Sequence, residues 1–209
     1  MGRHREFEVD KALDQAMKVF WQKGYEGASI SDLTEAMGIN SPSLYAAFGS
    51  KEGLFVAVLN HYDVTRSGFL SQILDAPTAR EVASRFLCGV AEFATDKHHP
   101  PGCLLVQAGI SCGETEIPRQ IARHRAAAEL VLRERFECAK RGGDLPRTAD
   151  PPALARYLLA VGNGICVQAA SGTKREELRK IAEMALAGFP EGARKKAAHA
   201  KSRIIETAG

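Results

Sequence analysis

Apolar residues recur at three- and four-residue steps along nearly the whole of this 209-residue chain, and no run of alternating β-branched residues is long enough to make a strand. The pattern predicts an all-α protein of about nine helices. Val9, Leu13, Ala16, Met17 and Phe20 share one helix face, and Gly24 supplies a stop, which places a first helix at about Phe7 to Lys23. Ser29, with Asp32 three residues on, approximates a capping box for a short second helix ended by Gly38. Asn40 caps a third helix with Pro42 in its first turn, where the missing N–H costs nothing, and Gly49 stops it. Ser50 caps a longer fourth helix whose Leu54, Phe55, Val58, Leu59 and Tyr62 lie on one side. Further helices are predicted over Thr78–Thr95, Cys103–Cys112, Glu116–Arg141, Pro151–Ala170 and Lys174–Gly188, with Thr173 and Asp150-Pro151 as start signals.

Composition narrows the class. A chain of this length buries enough surface to fold without disulfides or a structural metal. Its five cysteines, an odd number with no CxxC pair, suit a reducing cytoplasm. The charged N-terminus has no apolar signal-peptide core, and the most apolar stretch, Leu154 to Ala170, is interrupted by Arg156, so no membrane span is expected. Net charge is +3, and its distribution matters more than its size. Residues 1–51 carry six Lys/Arg against seven Asp/Glu, whereas 190–209 carry five against two. Any affinity for nucleic acid must therefore come from geometry in the first fifty residues.

That geometry is present. Two short helices joined by the Gly38-Ile39 turn and braced by a longer first helix form a helix-turn-helix, whose second helix has the dimensions of the major groove. Ser41, Ser43, Tyr45 and Ala46 are expected to project from it, while Leu44 and Phe48 turn inward. The helix starts at Ser29 and Ser50 offer N–H groups to phosphates, and Lys51 adds a charge.

The segment Gly24 to Phe55 resembles the N-terminal signature of TetR-family transcriptional regulators: Gly24-Tyr25 after the first helix, the Gly38-Ile39 turn, Leu44-Tyr45 and Phe48, then Ser50-Lys51 and Leu54-Phe55. The resemblance covers about a quarter of the chain. It implies a DNA-binding domain over residues 1–50, a ligand-binding and dimerisation domain over 51–189, and repression relieved by a small-molecule inducer. It also places phosphate contacts on Ser29, Tyr45 and Lys51, and groove-facing residues on Ser41, Pro42, Ser43 and Ala46. Pro42 and the Ala46-Ala47 pair depart from the commoner family pattern and suggest readout by few hydrogen bonds, thymine methyl contact and DNA shape.

In the second half, Leu154, Leu158, Val161, Ile165 and Gln168 alternate steps of four and three, with Gly162 and Gly164 permitting close approach. The last two helices are read as a homodimer seam involving Leu158, Val161, Gly162, Ile165, Ile181 and Ala185. The competing reading for these positions is intramolecular core. Pocket candidates are Phe69, Phe86, Phe93, Gln107 and Phe136. Pro100-Pro101-Gly102-Cys103 starts a helix at a thiol, so Cys103 is a candidate electrophile or oxidant sensor, assisted by His98 or His99. On that reading Cys103 should react faster than Cys88, Cys138 or Cys166, which fall within long helices, and Cys112 lies too far along to be its partner. No second ligand cluster accompanies His98, His99 and Cys103, so neither a metal nor another cofactor is expected. A Cys/His enzyme is the remote alternative, and no GxSxG, HExxH or glycine-rich phosphate loop supports it. The residues from 190 on are expected to form a mobile basic tail.

Overall fold

The computed structural model describes residues 2–108 and 116–192, with side chains at 9–64, 68–108 and 116–192. Among the described residues there are nine α-helices and no strand: α1 (Gly2–Gly27), α2 (Ile30–Met37), α3 (Ser41–Phe48), α4 (Lys51–Leu74), α5 (Ala79–Ala94), α6 (Leu104–Ala108), α7 (Glu116–Arg141), α8 (Pro151–Ala170) and α9 (Arg175–Ala187). The all-α architecture read from periodicity is the observed one. The basic tail from residue 193 on, and Cys112, lie outside the described residues.

Local chemistry sets most boundaries. The α1 helix begins earlier than Phe7, and its regular geometry breaks at Gly24, where φ is +71°. Asn40, Ser50, Thr78 and Asp150 each accept a backbone N–H at the start of their helices. Thr173 does not cap α9: its hydroxyl donates to Gln168 Oε1 at 3.2 Å, while Glu177 accepts the Lys174 N–H at 3.3 Å. The expected helix from Cys103 shortens to Leu104–Ala108, with 109–115 outside the described residues.

One hydrophobic core runs through the described helices, and it is spanned by α4. Its first half buries Leu54, Phe55, Val58 and Leu59 against Phe20, Leu33 and Leu44 of the N-terminal helices. Farther along, it packs on α5 and α7. The α5 helix lies against both α8 and α9, and α7 packs along α8. By length and composition α8 would pass for a membrane span. Its inward stripe of Ala155, Leu158, Gly162, Ile165, Cys166 and Ala169 instead serves the protein core.

That stripe corrects the expected seam. Leu158 and Ile165 are fully buried within the chain, and Ala185 is 9% exposed. Gly162 is so close to α5 that an added Cβ would stand 3.1 Å from the Phe86 ring. These four positions hold the subunit together, because the stepwise pattern marks whichever face is apolar and α8 has apolar residues on both. Outward lie Tyr157, Val167, Ile181 and Met184, the last 77% exposed, with Val161 at the edge.

Leu158→Ala is accordingly expected to lower the unfolding free energy by about 2–5 kcal/mol, as for a buried leucine. Urea unfolding followed by circular dichroism should show the same loss at every protein concentration. Val167→Ala should show little loss when the protein is dilute.

Candidate nucleic-acid interface and an apolar cavity

The turn between α2 and α3 is fixed by Gly38, whose φ of +67° is disfavoured for any residue with a Cβ. Leu44 is fully buried, and this anchors α3 from beneath. Pro42, Ser43, Tyr45, Ala46 and Ala47 are left exposed on its outer side, with Ser41 half-buried and Tyr45 46% exposed. The sequence-predicted groove residues therefore share one surface. A contact that periodicity does not reveal sets the attitude of this helix. At Gly53, an added Cβ would stand 2.1 Å from the Phe48 carbonyl oxygen, so the start of α4 and the end of α3 meet backbone to backbone.

Charge at the interface is arranged more locally than expected. Ser29 Oγ accepts the Asp32 N–H at 3.0 Å, and Asp32 Oδ2 accepts the Ser29 N–H at 3.0 Å. Lys23 Nζ lies 2.6 Å from Asp32 Oδ1. The lysine ammonium first, then the Ser29 hydroxyl and the Ser29 backbone N–H, lower the Asp32 pKa from 3.8 to about 2. The α2 start thus carries its own carboxylate, neutralised by Lys23. Lys51 Nζ sits 4.6 Å from the centre of the Tyr25 ring and donates to Glu26 O at 3.4 Å, which holds its charge at the exposed start of α4.

Behind the N-terminal helices a cavity of about 800 Å³ opens among α4, α5, α7 and α8. Phe69, Phe86, Val90, Ile121 and Leu159 line it, together with Cys103, Cys166 and Gly162. Of the five pocket candidates read from the sequence, Phe69 and Phe86 are on its wall, as is the sensor candidate Cys103, and the other three are elsewhere. Phe93 is turned away, its ring centre 5.8 Å from Trp21 and 4.3 Å from His99. Gln107 donates to Pro101 O at 3.1 Å beside the turn. Phe136 is fully buried and packs on Phe189 at 5.7 Å. All three are aromatic or amphipathic groups recruited to close packing, a fate that spacing does not distinguish from lining a void.

Cys103 is 6% exposed, and its sulfur lies 3.3 Å from the Tyr62 hydroxyl, either group able to donate. The neighbouring histidines are oriented elsewhere. His98 Nδ1 lies 2.6 Å from Asp96, whose carboxyl is held below its usual range by the His98 backbone N–H and then by the imidazole. His99 Nδ1 lies 2.8 Å from Pro100 O, and its ring stacks on Trp21 at 4.7 Å. Among the described residues, no three His, Cys, Asp or Glu side chains are grouped to hold a metal ion. The expected order of thiol exposure also changes, because Cys138, on the outer side of α7, is exposed while Cys103 and Cys166 are buried.

Sequence reasoning missed two links between the halves. The Tyr62 ring, at the cavity, packs edge-on to Trp21 of α1 at 5.4 Å. His61, one residue earlier, reaches Asp14 at 2.8 Å and Asp10 at 3.8 Å, tying α4 to α1. The lone tryptophan, placed one residue beyond Phe20 on the first helix, was the available signal.

A helix-turn-helix mounted on a helical domain with an internal cavity is the architecture of a DNA-binding transcriptional regulator. Residues 12–58 match the family model described as bacterial regulatory proteins, tetR family. The chain is 34% identical over 195 residues to the HTH-type transcriptional repressor ComR of Escherichia coli K12, covering 91% of this chain and 92% of ComR. It is 33% identical to the repressor BdcR of the same organism over 88% of this chain and 90% of that one. A solved structure of a cysteine mutant of the TetR-family regulator CifR, complexed with 26-bp operator DNA, superimposes with a TM-score of 0.83 at 40% identity, covering 87% of this chain and 96% of that one. The chain belongs to the TetR family of transcriptional regulators.

Two substitutions test this geometry. Gly53→Ala should displace α3 from α4 and abolish sequence-specific DNA binding while leaving most helical circular dichroism in place. Asp32→Asn should destabilise the protein at neutral pH. Because the folded pKa is depressed, the Asp32 contribution is complete above about 3.8 and lost as pH falls through about 2. The stability difference between the two proteins, measured by thermal unfolding, should shrink over that window.

Proposed function

We propose that this protein is a homodimeric repressor, released from a pseudo-palindromic operator when a small-molecule inducer fills the cavity. The observation that carries the reading is the position of Tyr62, which belongs to the cavity wall and touches Trp21 of the helix that braces the helix-turn-helix. A guest pressing on Tyr62 acts on the seat of α1, and a small rotation there changes the spacing of two recognition helices in a dimer. Relatives that are repressors, and CifR bound to operator DNA, support the DNA partner. The working division is residues 1–50 for DNA and 51–189 for ligand and dimer contacts, and the protein acts in the cytoplasm, where its operator is. Ser29, Tyr45 and Lys51 are assigned to phosphates, and Ser41, Pro42, Ser43 and Ala46 to the groove. The relatives are regulators, and the assigned role involves no catalysis.

The dimer seam is assigned to the outward face of α8 and α9: Tyr157, Val161, Val167, Ile181 and Met184. Val161 and Ile181 are kept from the sequence reading, and the other three replace its buried members. Selection of duplexes from a randomised pool should return half-sites about one helical turn, roughly 34–36 Å, or a multiple apart. Val167→Glu would bury an unpaired charge in the seam, at a cost of several kcal/mol. Light scattering should then report monomers, and operator binding should fall. A dimeric Val167→Glu with full operator affinity would move the seam elsewhere.

A second reading is favoured by the Cys103 sulfur on the cavity wall: release by alkylation of that thiol. Polar reagents should modify exposed Cys138 first, whereas an apolar electrophile that enters the cavity should modify Cys103. Cys103→Ser should keep operator binding and lose the response to that electrophile, and an unchanged response would leave reversible binding as the mechanism.

A further inference from the structure

Two phenylalanines stand on the cavity wall, and each lies against a glycine of a neighbouring helix. Phe69 of α4 meets α5 at Gly89, where an added Cβ would stand 2.5 Å from Cε2 of the ring and 2.6 Å from Cζ. Phe86 of α5 meets α8 at Gly162, where an added Cβ would stand 3.1 Å from Cε1. Real Cβ atoms do not approach as closely as the first of these distances, so any side chain at position 89 displaces the Phe69 ring. The second contact is tight as well, and relieving it takes a smaller movement.

Helix geometry calls for neither glycine. Both lie inside helices, and neither has the positive φ found at Gly24, Gly38 and Gly49. Glycine in a helix interior is destabilising relative to alanine, so its place here needs another cause. The contacts supply one: the missing Cβ lets each ring lie on helix backbone, clear of the space beside it. The α7 helix adds Ala122, Ala126 and Ala128 to the same wall. At about 800 Å³ the cavity falls among pockets that take drug-sized molecules, roughly 300–1,000 Å³.

We infer that Gly89 and Gly162 set the capacity of this cavity: they seat the Phe69 and Phe86 rings on helix backbone, and the space so kept clear admits a bulky apolar body in the effector. The inference rests on the reading of this cavity as the effector site, and extends it to the size class of the guest and to the residues that fix it. A methyl group at position 89 unseats Phe69, and the adjoining void is where the ring goes.

The test titrates the full-length protein with N-phenyl-1-naphthylamine, a three-ring apolar probe. Energy transfer from Trp21, the single tryptophan of the chain, reports binding in this cavity, because Trp21 touches Tyr62 of the wall. Gly89→Ala should weaken the probe about tenfold or more through overpacking, and Gly162→Ala by a smaller factor. The melting temperature of Gly89→Ala should be unchanged or raised, since alanine favours the helix and the ring moves into a void. The decisive variant combines Gly89→Ala with Phe69→Leu. Leucine lacks the ring atoms that the new Cβ would meet, so the double variant should bind the probe as tightly as Phe69→Leu alone. That comparison stands even where Gly89→Ala by itself fails to fold. Absence of probe binding in the wild type, unaltered affinity in either glycine variant, or a double variant weaker than Phe69→Leu would overturn the inference. Operator binding is measured in parallel on the probe-free wild type. Its presence beside a failed seat test leaves the regulator reading standing, and its absence removes that reading itself.

Discussion

The helix-turn-helix and the cavity-bearing helices meet chiefly where α1 packs on α4, with α5 and α6 beside it. The α4 helix is continuous over Lys51–Leu74, so its start beside α3 and its middle at the cavity are parts of one rigid rod. Along that rod Phe55 meets Phe20 edge-on at 4.9 Å, and Tyr62 meets Trp21 at 5.4 Å. Close-packed aromatic contacts transmit displacement because they cannot be compressed, and they have few alternative arrangements. His61 adds a directional tie to Asp14 on the same interface. The two halves of the chain are therefore joined through α1, which packs on α4 and also reaches α6 and Phe93 of α5, rather than by a flexible linker.

How much of this was legible beforehand follows from what kind of force made each feature. Helix starts capped by Ser29, Asn40, Ser50, Thr78 and Asp150 are local hydrogen-bonding events over three residues, and sequence displays them directly. The exposed side of α3 was legible for a similar reason, since buried Leu44 fixes the rotation of so short a helix. The role of α8 was not. Its Leu158 and Ile165 repeat as an interface would, yet they pack on the chain's own helices, while Tyr157 and Val167 form a second apolar edge. A helix with two apolar faces carries no sign saying which neighbour is its own chain.

The aromatic residues divide in the same way. Phe69 and Phe86 border the cavity, whereas Phe93 and Phe136 fill space against Trp21 and Phe189. A void is a property of what surrounding side chains fail to fill, and that depends on contacts far apart in sequence, such as His124 of α7 against Asp63 of α4. Gly53 is comparable: a single missing Cβ permits contact with the Phe48 carbonyl, and nothing in helical periodicity foretells it.

That backbone contact also separates two tasks within α3. The helix is held from behind by Leu44 and by its abutment on α4, neither of which involves the residues on its outer side. Ser43, Tyr45, Ala46 and Ala47 consequently carry little responsibility for folding, and substitutions there are nearly free of structural penalty. Under the proposed groove assignment, a lineage carrying this frame can drift from one target sequence to another by changing Ser43 and Ala46, while the scaffold that presents them stays under strict constraint.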